Sequence, residues 1–121
     1  MKLAVVFTSL IAAVSAVTVT DVPASEFTLT TSTSCSGSRV EAGIASGKYV
    51  ALPQASAAAN QGGCGSFVFF LNQVDTSVSY TATLVDFTDD NVLLVSPVSM
   101  EEAAGDADTF TATYVVSPLV G

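Results

Sequence analysis

The chain has 121 residues, is 50% hydrophobic and only 12% charged, and carries a formal net charge of −8. This composition excludes an intrinsically disordered chain, which would be poor in hydrophobic residues, and the acidic balance disfavours binding to nucleic acid or to anionic membranes. The sequence contains no histidine, which excludes catalytic triads built on an imidazole base and the common histidine-ligated zinc sites.

The first 16 residues have the features of a secretory signal peptide. Lys2 supplies the positive charge, residues 3–14 form an apolar run, and Val14 and Ala16 suit a cleavage site after Ala16. A membrane-spanning helix needs about 20 apolar residues, which is more than this run provides. We therefore expect residues 1–16 to be removed and residues 17–121 to form one secreted domain that does not insert into a membrane.

The predicted mature part carries one pair of cysteines and a strong negative charge. It retains two basic residues against 11 acidic ones, which is a net charge of −9. In an oxidising compartment, Cys35 and Cys64 are expected to form a disulfide. The closed loop of about 29 residues gives a stabilisation of roughly 3–4 kcal/mol in the chain-entropy treatment.

Residues that favour strands dominate the domain, and alternation of apolar and polar residues recurs along it. The predicted strands are, in chain order, 17–22, 26–33, 39–44, 48–52, 65–71, 77–87, 92–98 and 109–116. Such closely spaced short strands predict an all-β fold, an antiparallel β-sandwich or a small barrel of about seven to eight strands.

Shorter features separate the predicted strands. Ser46-Gly47 is read as a turn, residues 88–91 as a hairpin loop and residues 99–108 as an acidic connection. The alanine-rich stretch at 55–60 predicts one short helical turn. Residues 65–71 are apolar at almost every position, which predicts a central strand covered on both faces.

Two acidic loops are candidate cation sites, because Ca²⁺ takes oxygen ligands in such loops. Neither has the spacing of an EF-hand, and the predicted strand 92–98 holds them about 20 Å apart. Solvated acidic turns that keep the protein soluble are the alternative reading. We therefore expect no tight metal site, no cofactor, and only a slight effect of calcium on the melting temperature. The candidate residues are Asp86, Asp89, Asp90 and Asn91 in the first loop, and Glu101, Glu102, Asp106 and Asp108 in the second.

Threonines alternate with apolar residues in several predicted strands, so they are expected on one side of each strand. They form a candidate surface for binding or O-glycosylation, although ordinary strand propensity also accounts for them. These threonines are Thr18, Thr20, Thr28, Thr30, Thr81, Thr83, Thr111 and Thr113.

Catalytic motifs are missing from the sequence. It contains neither a P-loop nor a dinucleotide-binding glycine motif. Paired carboxylates leave a small hydrolase as a distant alternative. No catalytic residue is predicted.

The short, signal-bearing plan resembles the small secreted proteins of fungi and similar microbes, some of which are effectors or wall components. We therefore expect a secreted, non-enzymatic binding or interaction protein, effector-like or a cell-surface module. Its expected partner is an extracellular protein or a wall polysaccharide. A structural component of the wall or matrix is the alternative.

Overall fold

A computed structural model describes residues 17–29, 35–56, 58–59 and 63–117. The predicted signal peptide lies outside the described residues, and so does the end of the predicted strand 26–33. None of the helices in the described ranges is long and apolar enough to cross a membrane.

Six strands form a closed barrel in the described part of the chain. The strands are β1 (Thr18–Glu26), β2 (Tyr49–Pro53), β3 (Phe67–Asn72), β4 (Tyr80–Thr88), β5 (Leu93–Val95) and β6 (Thr109–Ser117). Their order around the barrel is β1-β5-β2-β4-β3-β6. The β-rich fold agrees with the prediction, but the expected count of seven to eight strands is wrong.

Two of the strand pairs are parallel, which corrects the expectation of an antiparallel fold. β1 pairs with β5 and β2 pairs with β4 in parallel, while the other four pairs are antiparallel. A parallel pair needs a long crossover connection rather than a tight turn. Alternation along a strand carries no information about its partner, so the sequence pattern did not reveal these crossovers.

The strand order has an internal two-fold relation. When β1 is exchanged with β4, β2 with β5 and β3 with β6, the order around the barrel is reproduced in the opposite direction. The same exchange converts one parallel pair into the other. The barrel therefore consists of two topologically equivalent three-strand halves, and the equivalent strands β3 and β6 lie side by side.

The segment predicted as strand 39–44 belongs to a helix, α1 (Ser38–Ser46). Val40 and Gly43 are its buried residues, whereas Ile44 is 37% exposed. Buried residues three positions apart are typical of a helix. The predicted strand was wrong because a segment of six residues is too short for its apolar spacing to distinguish a helix from a strand. Gly47 ends the helix with a φ of 81°, in the left-handed region that glycine adopts most readily.

A second helix, α2 (Pro97–Ala104), replaces the end of the predicted strand 92–98 and the start of the predicted acidic connection. Ser96 caps it by accepting a hydrogen bond from the Ser99 N–H, and Pro97 occupies the first turn. Serine at the cap followed by proline is a common start of a helix. The strand β5 is consequently short.

The remaining predicted elements match more closely. β1 runs beyond its predicted end, and the described residues 27–29 that follow it are not in a strand. β4 begins at Tyr80, three positions after its predicted start at Ser77. Ala58 and Ala59 are helical, as the predicted turn at 55–60 required, while residues 57 and 60 lie outside the described ranges.

The barrel interior is filled by apolar side chains, which we call the inner core. Tyr114 is its largest fully buried member, and its hydroxyl donates a hydrogen bond of 3.0 Å to Ser56 Oγ. Burial raises the pKa of Tyr114, and the hydrogen bond with Ser56 acts in the opposite direction. The fully enclosed members include Val22, Val50, Leu52, Val68, Phe70, Leu84, Leu93, Val95, Tyr114 and Val116.

A smaller apolar cluster, the outer core, contains the buried residues Cys35, Val40, Tyr49 and Val85. Partly buried hydrophobic residues pack against it, namely Phe27, Leu29, Cys64 and Phe87. Leu84 and Val85 are consecutive on β4, so their side chains point to opposite faces of the sheet and are buried in different cores. Val50 is opposite Leu84 while the next residue of β2 is opposite Asp86, so β4 has one extra residue here, a β-bulge.

The predicted disulfide joins Cys35 to Cys64, with a Cα–Cα distance of 5.4 Å. It connects the segment before α1 to the turn before β3. The disulfide therefore closes one side of the outer core.

Candidate binding surface

Strand β3 alternates between the inner core and solvent. Val68 and Phe70 are at most 1% exposed, whereas Phe67 is 49% and Phe69 38% exposed. Leu71, the next outward position, is partly exposed. The sequence predicted a strand covered on both faces, and this is wrong because Phe67 and Phe69 on the outer face remain exposed.

The strands on either side supply mostly hydroxyl-bearing residues. On β4, Thr83 lies opposite Phe67 and Thr81 opposite Phe69. Residues that pair across neighbouring strands share one side of the sheet. We call this surface the β3 face. It consists of Phe67, Phe69, Leu71, Thr81, Thr83, Thr113, Val115 and Ser117, in which Ser117, Val115 and Thr113 of β6 pair with the three β3 residues in turn.

The β3 face contains no charged residue, although the predicted mature chain has a net charge of −9. Exposed aromatic side chains on a surface without charge are typical of the centres of protein interaction surfaces. Among the exposed large hydrophobic residues in the described part of the chain, Phe67 and Phe69 are the two that lie on one strand.

The predicted threonine surface is only partly assembled. Thr81, Thr83 and Thr113 belong to the β3 face, and Thr18 is adjacent, opposite Val115. Thr111 lies opposite Pro23 and Thr28 follows the end of β1. Thr30 lies outside the described residues, and Thr20 immediately precedes Asp21, whose φ of 58° marks the irregular part of β1. The threonines therefore border the aromatic residues and do not form a continuous array.

A cleft opens at the edge of the β3 face, between helix α1 and the barrel, with a volume of about 270 Å³. We call it the Arg39 cleft. Helix α1 lies close to β4 because Gly43 has no side chain. A Cβ atom on Gly43 would lie 2.4 Å from the Thr83 Cβ. The lining residues are Arg39, Ala42, Gly43, Ser46, Gly65, Phe67 and Thr83.

The acidic candidate residues lie in separate places. Asp89, Asp90 and Asn91 line a depression of about 210 Å³ beside the loop after β2. Glu101, Asp106 and Asp108 line another of about 390 Å³, together with Glu26.

The other two candidates have different surroundings. Asp86 is half-buried on β4, and its Oδ1 accepts a hydrogen bond from the Phe87 N–H. Glu102 forms an exposed ion pair of 3.4 Å with Lys48. No group of three or more acidic or cysteine side chains in the described ranges is arranged to hold a metal ion.

The sequence did not single out the two aromatic residues at the centre of this surface. Phe67 and Phe69 were placed in a covered strand, and Arg39 was placed on the outer side of a strand that is in fact helical. The alternation of GSFVFFL is masked because its outward positions are as apolar as its inward ones. No protein-family model matches the sequence, and a search of curated proteins finds no significant relative.

Proposed function

We propose that this protein is an extracellular, non-enzymatic binding module that attaches through the β3 face to an uncharged polysaccharide. The observation that carries this proposal is the pair of exposed aromatic side chains, Phe67 and Phe69, on a sheet surface without charge. The extracellular location is supported by the signal-peptide pattern of residues 1–16 and by the disulfide.

The chemistry of the β3 face suits a sugar chain. A pyranose ring presents apolar C–H groups on its faces and hydroxyl groups at its edge. Phe67 and Phe69 offer apolar rings, separated by two residues and hence by about 7 Å along the strand. Thr81, opposite Phe69, and Ser117, opposite Phe67, offer hydroxyl groups on either side of them. The face therefore has partners for both parts of a sugar.

Charge favours an uncharged partner. A strongly acidic protein repels anionic polymers, and a basic partner would be attracted to the carboxylates, all of which lie off the β3 face. An uncharged polysaccharide experiences neither effect. Its binding would depend on the aromatic residues and would be insensitive to salt.

The test is retention on insoluble β-1,4-glucan, chitin and β-1,3-glucan, each in 150 mM and 1 M NaCl. We expect the protein to be retained on at least one of them in both salt concentrations. The double variant Phe67→Ala/Phe69→Ala should lose at least about tenfold in affinity, which corresponds to about 1.4 kcal/mol.

The matched control is Ile44→Ala on α1, because Ile44 is 37% exposed and Phe69 is 38% exposed. This variant should bind as the unchanged protein does. Equal retention of the double variant would contradict the proposal and favour a structural wall component held by bulk association. Absence of retention on all three glycans, together with capture of one soluble extracellular protein, would assign the face to a protein partner instead.

A further inference from the structure

Arg39 differs from the other basic residue of the predicted mature chain in having no acidic partner among the described residues. Its guanidinium forms no ion pair in the structure as described, although the chain has 11 acidic residues. The other basic residue of the predicted mature chain, Lys48, is paired with Glu102. An arginine left without a carboxylate in so acidic a chain retains all its hydrogen-bond donors for a ligand.

The backbone of a neighbouring turn positions the Arg39 side chain. Gly65 has a φ of 87°, and a Cβ atom at this residue would lie 3.1 Å from the Arg39 Cβ and 3.6 Å from its Cδ. The aliphatic stem of Arg39 therefore lies against bare backbone. This contact places the stem of Arg39 beside the cleft that the residue lines.

The rest of the Arg39 cleft is mostly apolar. Ala42, Gly43 and the half-exposed ring of Phe67 form much of its lining, and Thr83 contributes a hydroxyl group. Its volume of about 270 Å³ is just below the usual range for small-molecule sites. The ligand that fits is small, with an apolar body.

The charged residues that line each cavity determine which ligand charge it can accept. The depressions lined by Glu101, Asp106 and Asp108 or by Asp89 and Asp90 would repel an anion. The Arg39 cleft offers one guanidinium, whose two parallel N–H groups match the two oxygens of a carboxylate. A phosphate would bring more charge than this single cation balances, in a protein whose overall charge is already negative.

We propose that the Arg39 cleft binds a small monocarboxylic acid in its anionic form, with the carboxylate on Arg39 and the apolar body against Phe67. This site goes beyond the proposed function and does not rest on it, because it requires a soluble small molecule rather than an insoluble glycan.

The test is a titration of the folded, disulfide-bonded protein with benzoate at pH 7 and low ionic strength, followed by amide NMR. We expect saturable shifts at the amides of Arg39, Gly43, Gly65 and Thr83. Benzamide has the same shape without the charge, and it should bind at least tenfold more weakly. Arg39→Gln should weaken benzoate binding at least tenfold while leaving the dispersion of the spectrum intact.

Lys48→Gln is the matched control, because it removes the same charge from a residue outside the cleft. It should change benzoate affinity by less than twofold. The proposal is overturned if benzamide and benzoate bind equally, if Arg39→Gln binds benzoate as the unchanged protein does, or if no saturable shift occurs.

Discussion

Val50 and Val85 are both fully buried, yet they lie in two regions that are closed by different means. Val50 belongs to the inner core, which six hydrogen-bonded strands enclose without a free edge. Val85 belongs to the outer core, which lies between the barrel, helix α1 and the segment that carries Cys35. Hydrogen bonds between neighbouring strands enclose the first region, whereas the disulfide and the packing of α1 against the barrel close the second.

Two side-chain contacts in the outer core join the segment after β1 to Tyr49. The ring of Phe27 meets that of Tyr49 edge to face at 5.4 Å, and the Tyr49 hydroxyl accepts a hydrogen bond of 3.3 Å from the Leu29 N–H. Burial alone therefore does not determine the free energy of local unfolding. That free energy also depends on the bonds that close the region, which are strand pairs for the inner core and a disulfide for the outer core.

Reduction of the disulfide should have the largest effect. The loop spans 29 residues, so we expect the free energy of unfolding to fall by about 3–4 kcal/mol. The loss should be uneven, because the barrel keeps its hydrogen bonds. Hydrogen exchange should accelerate in α1 and around Tyr49, while amides in β5 and β6 stay protected. Equal acceleration throughout would show that the two regions form one cooperative unit.

A matched pair of valine substitutions should separate the two regions. We expect Val50→Ala to destabilise the protein by about 2–3 kcal/mol and Val85→Ala by about 1–2 kcal/mol, because the outer core can relax around a cavity and the closed barrel cannot. Urea unfolding of both variants, oxidised and reduced, measures this difference. Reduction should diminish the effect of Val85→Ala but not that of Val50→Ala. If the oxidised variants lose equal stability, the proposed difference between the regions is wrong.

Two buried serines, one beside each region, should show the smallest effects on stability. Ser96, at the end of β5, accepts from the Ser99 N–H at 3.3 Å and donates to Ser99 Oγ at 3.0 Å. Ser66, next to the disulfide turn, has no hydrogen-bond partner for its hydroxyl within the described residues.

Ser96→Ala should therefore cost about 1 kcal/mol, the typical value for a lost helix cap. Ser66→Ala should be neutral or slightly stabilising, because it removes a buried polar group that makes no bond. Thermal unfolding of the two variants side by side measures both effects. A loss at Ser66 as large as that at Ser96 would mean that its hydroxyl has a partner in solution.

The candidate surface was predictable only in part. Alternation placed Thr81, Thr83 and Thr113 on the outer sides of their strands, and this is correct. Phe67 and Phe69 were not identified, because a strand that is apolar at both inward and outward positions looks the same as one buried on both faces. The approach of Arg39 to Gly65 and Phe67 joins distant parts of the sequence, so no local pattern reports it.

Local chemistry determined the strands of this protein and its disulfide. Alternation identified β1, β4 and β6 with shifted ends, since side chains on a strand must point to opposite sides in turn. Runs of apolar, strand-favouring residues identified β2 and β3. The two cysteines left one possible pairing, and the structure contains it. Serine followed by proline at residues 96 and 97 is a local signal for the start of α2, although the apolar pattern predicted a strand there.

Only the tertiary structure decided what lies between and around these strands. The period of a short segment such as 39–44 is ambiguous, and the contact of Gly43 with Thr83 favours the helix because a bare α-carbon can approach the sheet so closely. The bulge at Val85 and the parallel pairing of β2 with β4 depend on how distant strands align. Which face of β3 remains open depends on closure of the barrel, a property of all six strands together.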